Sequence, residues 1–109
     1  MPGIDDPSVI DAVTQTAEGE VVLIISHDRP WTDDPDEVDR LGDKISSYAA
    51  FVLGDGFASA YPQAADRPRR VQLDCVGTPT PRVADLLVQA ETAFAAHGVP
   101  LSVVLRPVA

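Results

Sequence analysis

The sequence predicts a single α+β domain over residues 1–109. The expected architecture is a two-layer sandwich with the element order β-β-α-β-α-β, in which both helices cover one face of a four-stranded mixed sheet. Three observations predict it: a glycine turn joins two strand-like segments, two later segments have the apolar periodicity of helices, and each of these is followed by another strand-like segment. Right-handed crossovers then place both helices on the same side of the sheet.

The first two strands form a predicted hairpin. Residues 9–14 precede a turn around Gly19, and the chain then continues into a second strand-like segment, residues 21–26. The five consecutive apolar residues from Val21 to Ile25 do not alternate with polar ones. Such a run is typical of a central strand that is buried on both faces.

The first helix is predicted to begin just after this strand. Asp33 or Asp34 caps its first turn, Pro35 occupies its first position, and the glycines within residues 54–56 end it. A short helical turn and a loop follow over residues 57–69. The apolar residues of the helix recur at spacings of three and four and mark one face: Val38, Leu41, Ile45, Tyr48 and Val52.

The second half of the chain repeats the strand–helix alternation. Residues 71–75 alternate apolar and polar side chains, which predicts a third strand with Cys75 as a buried, inert thiol. Thr80 caps a second helix that Gly98 ends, and residues 101–105 form the last strand. The predicted strand order is 1-2-3-4, with strand 1 antiparallel to its neighbour.

This topology leaves one face of the sheet without a helix. The second strand is nevertheless apolar on both faces, and the last strand contains the adjacent Val103 and Val104. A second copy of the chain would cover the open face, which predicts a homodimer. The alternative is that the N-terminal segment or residues 57–69 cover it.

The formal net charge of −9 is unevenly distributed. Residues 1–66 hold 14 acidic and three basic side chains, whereas residues 67–109 hold three acidic and five basic ones. Nucleic acid phosphates repel such a protein, so we expect no nucleic acid partner. The acidic part of the chain suits a basic partner protein, although it serves solubility equally well.

The sequence also predicts a cytoplasmic, soluble protein with no membrane association. Its single cysteine excludes an internal disulfide and suits a reducing compartment. The opening residues are acidic and lack the basic-then-apolar order of a secretory signal. The longest apolar run is far below the roughly 20 residues that a membrane helix needs. The abundance of Ala, Pro, Asp and Arg is typical of bacteria with GC-rich genomes.

No catalytic, metal or cofactor motif is recognisable. The acidic run of residues 28–43 fails the EF-hand pattern, because the required glycine and glutamate are missing. His27 and His97 have no His or Cys neighbour at zinc-ligand spacing. Ser26 adjoins His27 but lies outside a G-x-S-x-G elbow, and no glycine-rich phosphate loop occurs. We therefore expect no metal, no cofactor and no catalytic residue.

The loop after the second strand is the main candidate binding region. It contains the only tryptophan, Trp31, which either covers the core or is exposed as a protein-binding hot spot. The candidate binding residues are His27, Asp28, Arg29, Trp31, Asp33 and Asp34. A second candidate is the basic patch of Arg67, Arg69 and Arg70, which either binds an anion or serves as internal counter-charge.

The stretches DDPSVIDAV, GEVVLIISHDRPW and AYP together resemble a family of small bacterial proteins classed only as a domain of unknown function. The resemblance covers nearly the whole chain and implies one domain. Members of that family have no assigned activity, so no catalytic residue is transferred. Where this chain reads His27-Asp28, its relatives tend to have the reverse order, which weighs against a fixed catalytic histidine.

Three functional hypotheses follow. The leading one is a non-enzymatic protein-binding module, comparable to an immunity or adaptor protein, that binds a basic partner through the acidic loop around Trp31. The second is an enzyme or small-molecule binder with a pocket at the carboxyl ends of the strands near His27. The third is a homodimeric assembly unit in which Trp31 belongs to the core.

Overall fold

The computed structural model describes residues 10–32, 34–64 and 66–106. A single-turn 3₁₀ helix (Pro62–Ala64) supplements the main elements. These are β1 (Ala12–Gln15), β2 (Val21–His27), α1 (Pro35–Leu53), α2 (Asp55–Ala60), β3 (Arg69–Cys75), α3 (Pro81–Ala95) and β4 (Leu101–Leu105). The α+β class and the predicted order of the elements are confirmed, and α2 lies at the predicted short helical turn.

The four strands form one mixed sheet in the order β1-β2-β3-β4. β1 runs antiparallel to β2, while β2, β3 and β4 are parallel, as predicted. The β1–β2 turn requires Gly19, because its φ of +91° is a conformation that residues with a Cβ rarely adopt. β1 begins at Ala12, and Val9, which the sequence assigned to this strand, lies outside the described residues.

Capping fixes where α1 begins. The carboxylate of Asp34 accepts a hydrogen bond of 2.9 Å from the backbone N–H of Asp36. Pro35 follows at the first helical position, where its missing N–H costs nothing. Of the two predicted caps, the structure therefore selects Asp34, and Asp33 lies outside the described residues. At the other end, the Gly54 N–H donates to the carbonyl oxygen of Ala50.

One hydrophobic core fills the space between the helices and the sheet. In β2 the side chains of Leu23 and Ile25 are completely buried, and those of Val71 and Leu73 flank them in β3. The helical residues that join this core are Leu41, Ile45, Tyr48, Val52, Phe57, Val83, Leu87, Ala90 and Phe94. The predicted apolar face of α1 is thus largely confirmed, although Val38 is only half-buried.

The opposite face of the sheet is less apolar than the sequence suggested. β3 contributes Arg70, Gln72 and Asp74 to this face, and the Gln72 amide donates a 2.7 Å hydrogen bond to the Asp74 carboxylate. Val22 of β2 points the same way but is only 2% exposed. The open face therefore presents a polar middle strand, and of the two apolar β2 residues on this face, Val22 is buried and Ile24 is half-buried.

Candidate functional site

The candidate region lies at the carboxyl edge of the parallel strands. β2 ends at His27, which is paired in register with Cys75, the last residue of β3. Because side chains alternate along a strand, His27 points toward the helices and is 2% exposed, whereas the next residue, Asp28, is exposed. The two neighbours therefore do not form one polar surface. The imidazole of His27 therefore lies within the core, at the carboxyl ends of the parallel strands.

Trp31 covers this imidazole and belongs to the core. The rings of His27 and Trp31 stack with their centroids 3.9 Å apart and their planes inclined by 25°. The indole is 8% exposed. This decides between the two alternatives that the sequence left open: Trp31 is a core lid, and it offers too little surface to act as a hot spot. A small molecule directed to His27 would first have to displace the indole.

A close approach between two loops holds Trp31 in this position. Gly77, which follows β3, lies against the β2–α1 loop. A Cβ at Gly77 would lie 3.5 Å from the Cα of Pro30 and 3.8 Å from the backbone nitrogen of Trp31. These are ordinary van der Waals distances, so the two loops are in contact beside the indole, and a Cβ at Gly77 would fit between them.

Glu37, in the first turn of α1, ties the same loop to the helix. One of its oxygens, Oε1, accepts from the backbone N–H of Thr32 at 2.8 Å and from the Thr32 hydroxyl at 3.3 Å. The other, Oε2, lies 3.8 Å from Nε2 of His27. The side chain is buried, so these contacts replace water around a carboxylate. Glu37 thus links the loop, the helix and the histidine.

The sequence showed Glu37 only as one member of the acidic run of residues 28–43, and its role was therefore missed. A usable signal was present, because Asp34 and Glu37 have the spacing of a capping box, in which the third helical residue reaches back toward the preceding chain. Here the glutamate reaches past the cap to Thr32. That spacing distinguishes Glu37 from the exposed acids on either side of it.

A second buried polar group joins α1 to the edge of the sheet. The ammonium of Lys44 is completely buried and lies 2.8 Å from Oδ1 of Asp11. The other carboxylate oxygen of Asp11 accepts from the backbone N–H of Ser26 at 2.9 Å. This ion pair therefore anchors the chain before β1 to both β2 and α1.

Tyr48, one turn after Lys44, completes this network. Its hydroxyl accepts from the backbone N–H of Asp11 at 2.8 Å and donates to the carbonyl oxygen of Ile24. Burial raises the pKa of the Tyr48 phenol well above its ordinary value near 10, so the group stays a neutral donor. Neither Asp11 nor Lys44 was predicted. The signal for Lys44 was its spacing from Leu41 and Tyr48, which places it on the buried helical face.

Cys75 lies beside this region as a protonated thiol. Its side chain is fully buried, and burial raises the pKa of the thiol. The indole N–H of Trp31 and the charge of Arg106 partly oppose this rise, whereas the nearby Asp74 adds to it. The predicted burial of Cys75 is confirmed, and because the thiolate is the reactive form, the raised pKa disfavours reaction of this thiol.

Within the predicted basic patch, Arg69 and Arg70 have separate environments, while Arg67 shares a cleft with Arg69. Nη1 of Arg69 donates a 2.7 Å hydrogen bond to the carbonyl oxygen of Val52, in the last turn of α1, and its guanidinium lies 4.1 Å from the ring centroid of Phe57. Arg70 lies 3.7 Å from the carboxylate of Glu20, the residue that precedes β2. These contacts match internal counter-charge, in part to the negative end of a helix.

Arg67 borders a cleft of about 330 Å³ that His97 and Arg69 also line. His97 is exposed and follows the end of α3, which stops at Ala95. Both α1 and α3 end beside this cleft, so their carbonyl groups supply negative potential there. The guanidinium groups of Arg67 and Arg69 oppose that potential.

The outer surface of the helical layer contains a long groove, here called the α1–α3 groove. It consists of two adjoining cavities of about 690 and 290 Å³ between these helices. Both cavities are lined by Ile45, Ser46, Ala90 and Ala93. Asp39 and Asp43 line the end nearer the start of α1.

The described residues give two further findings. Within them, no group of three or more His, Cys, Asp or Glu side chains is arranged to hold a metal ion. No helix among residues 10–32, 34–64 and 66–106 is long and apolar enough to cross a membrane.

Comparison with known protein families gives a match over nearly the whole chain. The model of a protein family of unknown function matches residues 2–106. No curated protein and no solved structure matches the chain.

Proposed function

Because this chain belongs to the family of unknown function DUF6572, we propose its role from its own surface chemistry. The proposed role is that of a non-enzymatic protein-binding module. It recognises a basic partner through the carboxylates exposed on the β2–α1 loop and on α1, a surface here called the acidic face. The acidic face consists of Asp28, Asp34, Asp36, Asp39 and Asp43, all of which are exposed.

The arrangement of charges supports this proposal. Of the three basic residues between positions 28 and 44, Lys44 is buried against Asp11 and Arg40 is half-buried, so only Arg29 is exposed among these carboxylates. The surface field of this region is therefore negative. Such a field accelerates the encounter with a positively charged protein and disfavours acidic competitors.

The buried residues of the loop have a supporting role in this proposal. Trp31 and His27 stack inside the core, while Glu37 binds Thr32. These contacts hold the loop in one conformation, which lowers the entropy that binding would otherwise cost. Partner contact is thus assigned to the exposed aspartates, in place of the tryptophan that the sequence highlighted.

Affinity capture with two charge-matched variants tests the proposal. The test variant carries Asp28→Asn, Asp36→Asn, Asp39→Asn and Asp43→Asn, and it spares the helix cap Asp34. The control carries an equal change of charge on other exposed positions: Glu18→Gln, Asp66→Asn, Asp85→Asn and Glu91→Gln. Proteins retained from a lysate are identified by mass spectrometry at low and high salt.

We expect wild type and control to retain the same basic protein, and the test variant to lose it. High salt should release that protein, because exposed charges are screened within about 10 Å at 0.1 M ionic strength. Equal retention by both variants would contradict the proposal and leave solubility as the reason for the negative charge.

A second candidate role is self-assembly, and one observation favours it. β4 is an edge strand, and its side chains Val103, Val104 and Leu105 are 42%, 39% and 55% exposed. An edge with free backbone groups and apolar side chains can pair with the same strand of a second copy. This moves the expected homodimer contact from the open sheet face to β4.

Sedimentation of wild type and Val104→Lys over a range of concentrations tests this role. A lysine on an edge strand blocks strand pairing while it retains the fold. A dimer of the wild type that the substitution abolishes supports self-assembly. A wild-type monomer at all concentrations overturns it.

A further inference from the structure

We propose that the α1–α3 groove receives an amphipathic helix of the partner, with Lys or Arg along one of its flanks. The inference rests on the proposed function and adds the form of the partner segment and the place where it binds. The acidic face supplies the charge. The groove supplies the apolar contact that exposed carboxylates alone lack.

Small side chains keep the groove open along the two helices. On α1, Gly42, Ser46 and Ala49 face it, and on α3 the corresponding residues are Ala90 and Ala93. A third helix that packs on two others needs an interaxial distance of about 8–10 Å, which short side chains allow. These short side chains therefore leave room for the larger apolar side chains of an incoming helix.

The length of the groove matches a helical segment. Its lining on α1 extends from Val38 to Leu53, a separation of 15 residues. At a rise of 1.5 Å per residue, this separation corresponds to roughly 22 Å, or about four helical turns. A partner helix of this length presents apolar residues at i, i+3, i+4 and i+7, which is the usual pattern of helix-in-groove binding.

The charge along the groove determines which partner it fits. Asp39 and Asp43 form one wall of its larger cavity, opposite Gln89. Among the described lining residues there is neither Lys nor Arg, and His97 lies at the far end. We expect basic residues on the flank of the partner helix that lies beside Asp39 and Asp43 to pair with these aspartates. The same aspartates disfavour a segment with carboxylates along that flank.

Two synthetic peptides of about 14 residues serve as probes. Both carry leucine at the positions of one helical face, and the other positions are lysine in one peptide and glutamate in the second. Fluorescence anisotropy of labelled peptide measures the affinity for the full chain. Amide chemical shifts map the residues that respond.

Two variants and two matched controls locate the binding. Ser46→Lys places a long cationic side chain at the centre of the groove, and Thr92→Lys places one on an exposed position of α3 outside its lining. Asp39→Asn with Asp43→Asn removes the acidic wall, and Asp85→Asn with Glu91→Gln removes two carboxylates elsewhere. Circular dichroism establishes that each variant is folded.

We expect the lysine peptide to bind and the glutamate peptide not to bind. Ser46→Lys and the Asp39–Asp43 variant should each weaken binding about tenfold, and their controls less than about twofold. The shifts of amide signals should concentrate on α1 and α3. This pattern supports a helix seated in the groove.

Other outcomes separate the two proposals. If the Asp39–Asp43 variant weakens binding while Ser46→Lys and Thr92→Lys behave alike, the acidic face binds without the groove, and the inference fails while the proposed function stands. If all variants lose affinity in proportion to net charge, attraction is nonspecific and the inference fails. If neither the lysine peptide nor any basic protein from the capture experiment binds, both proposals fail.

Discussion

The ammonium of Lys44 lies 2.8 Å from Oδ1 of Asp11, and neither partner of this ion pair has appreciable contact with water. The pair joins the segment before β1 to the middle of α1, close to the hydrogen bond that the Tyr48 hydroxyl donates to the Ile24 carbonyl of β2. Its partners are 33 residues apart in the chain. The pair therefore fixes where α1 lies along the sheet.

Lys44→Met should destabilise the domain by about 3–5 kcal/mol, because it leaves the buried carboxylate of Asp11 without its counter-ion. Urea denaturation measures the free energy of unfolding. Asp43→Asn, an exposed neighbour on α1, is the control and should change it by less than about 0.5 kcal/mol. Similar values for the two variants would show that the pair contributes little.

Trp31→Ala should destabilise the domain by about 3–5 kcal/mol, since it removes a large side chain from the core and uncovers His27. Trp31→Phe retains a ring and should cost clearly less. As the chain has a single tryptophan, its fluorescence follows unfolding directly, and the emission of the folded wild type should lie at shorter wavelength than that of the unfolded chain. An emission that does not move on unfolding would contradict the burial of Trp31.

The free energy of unfolding should fall as the pH rises above about 9. Burial raises the pKa of both Cys75 and Tyr48, so between the ordinary and the raised values the folded state retains protons that the unfolded state has released. Stability then decreases with pH, because the unfolded state binds fewer protons. Urea titrations at several alkaline pH values measure this slope. Cys75→Ala should reduce the slope, and an unchanged slope in that variant would assign the effect to other groups.

Two glycine substitutions should have opposite effects on stability. Gly19→Ala should destabilise by about 1–2 kcal/mol, because φ is +91° and the added Cβ would meet the guanidinium of Arg67 at 2.2 Å. Gly42→Ala should stabilise by about 0.5–1 kcal/mol, since it lies within α1 and the nearest atom, Cδ2 of Leu86, is 4.0 Å from the added Cβ. Thermal unfolding of both variants measures the difference, and shifts of the same sign would contradict it.

The topology was predictable because it follows from patterns that neighbouring residues share. The apolar run of β2, the alternation in β3 and the proline and glycine at the helix ends indicated the elements, and crossover handedness then fixed the strand order. The direction of a single side chain does not follow from such patterns. Trp31 lies in a loop, where no periodicity indicates whether its side chain points into the core or toward solvent.

The buried polar residues were missed for a related reason. Lys44 and Glu37 are charged residue types that are exposed in most proteins, so their types alone gave no reason to expect them in the core. Their helical spacing from Leu41 and Tyr48 indicated the opposite, and the structure follows the spacing. Asp11 had no such signal, because its role depends on Ser26 and Lys44, which only the folded chain brings together.

The strand order has a consequence for synthesis on the ribosome. Until β4 has emerged and docked, β3 is the outer strand of the sheet, and its backbone edge is unpaired. A nascent chain that has emerged only as far as α3 therefore exposes a strand edge that is prone to aggregation, of the kind that chaperones protect. Emergence and docking of β4 should then be the step that ends this exposure.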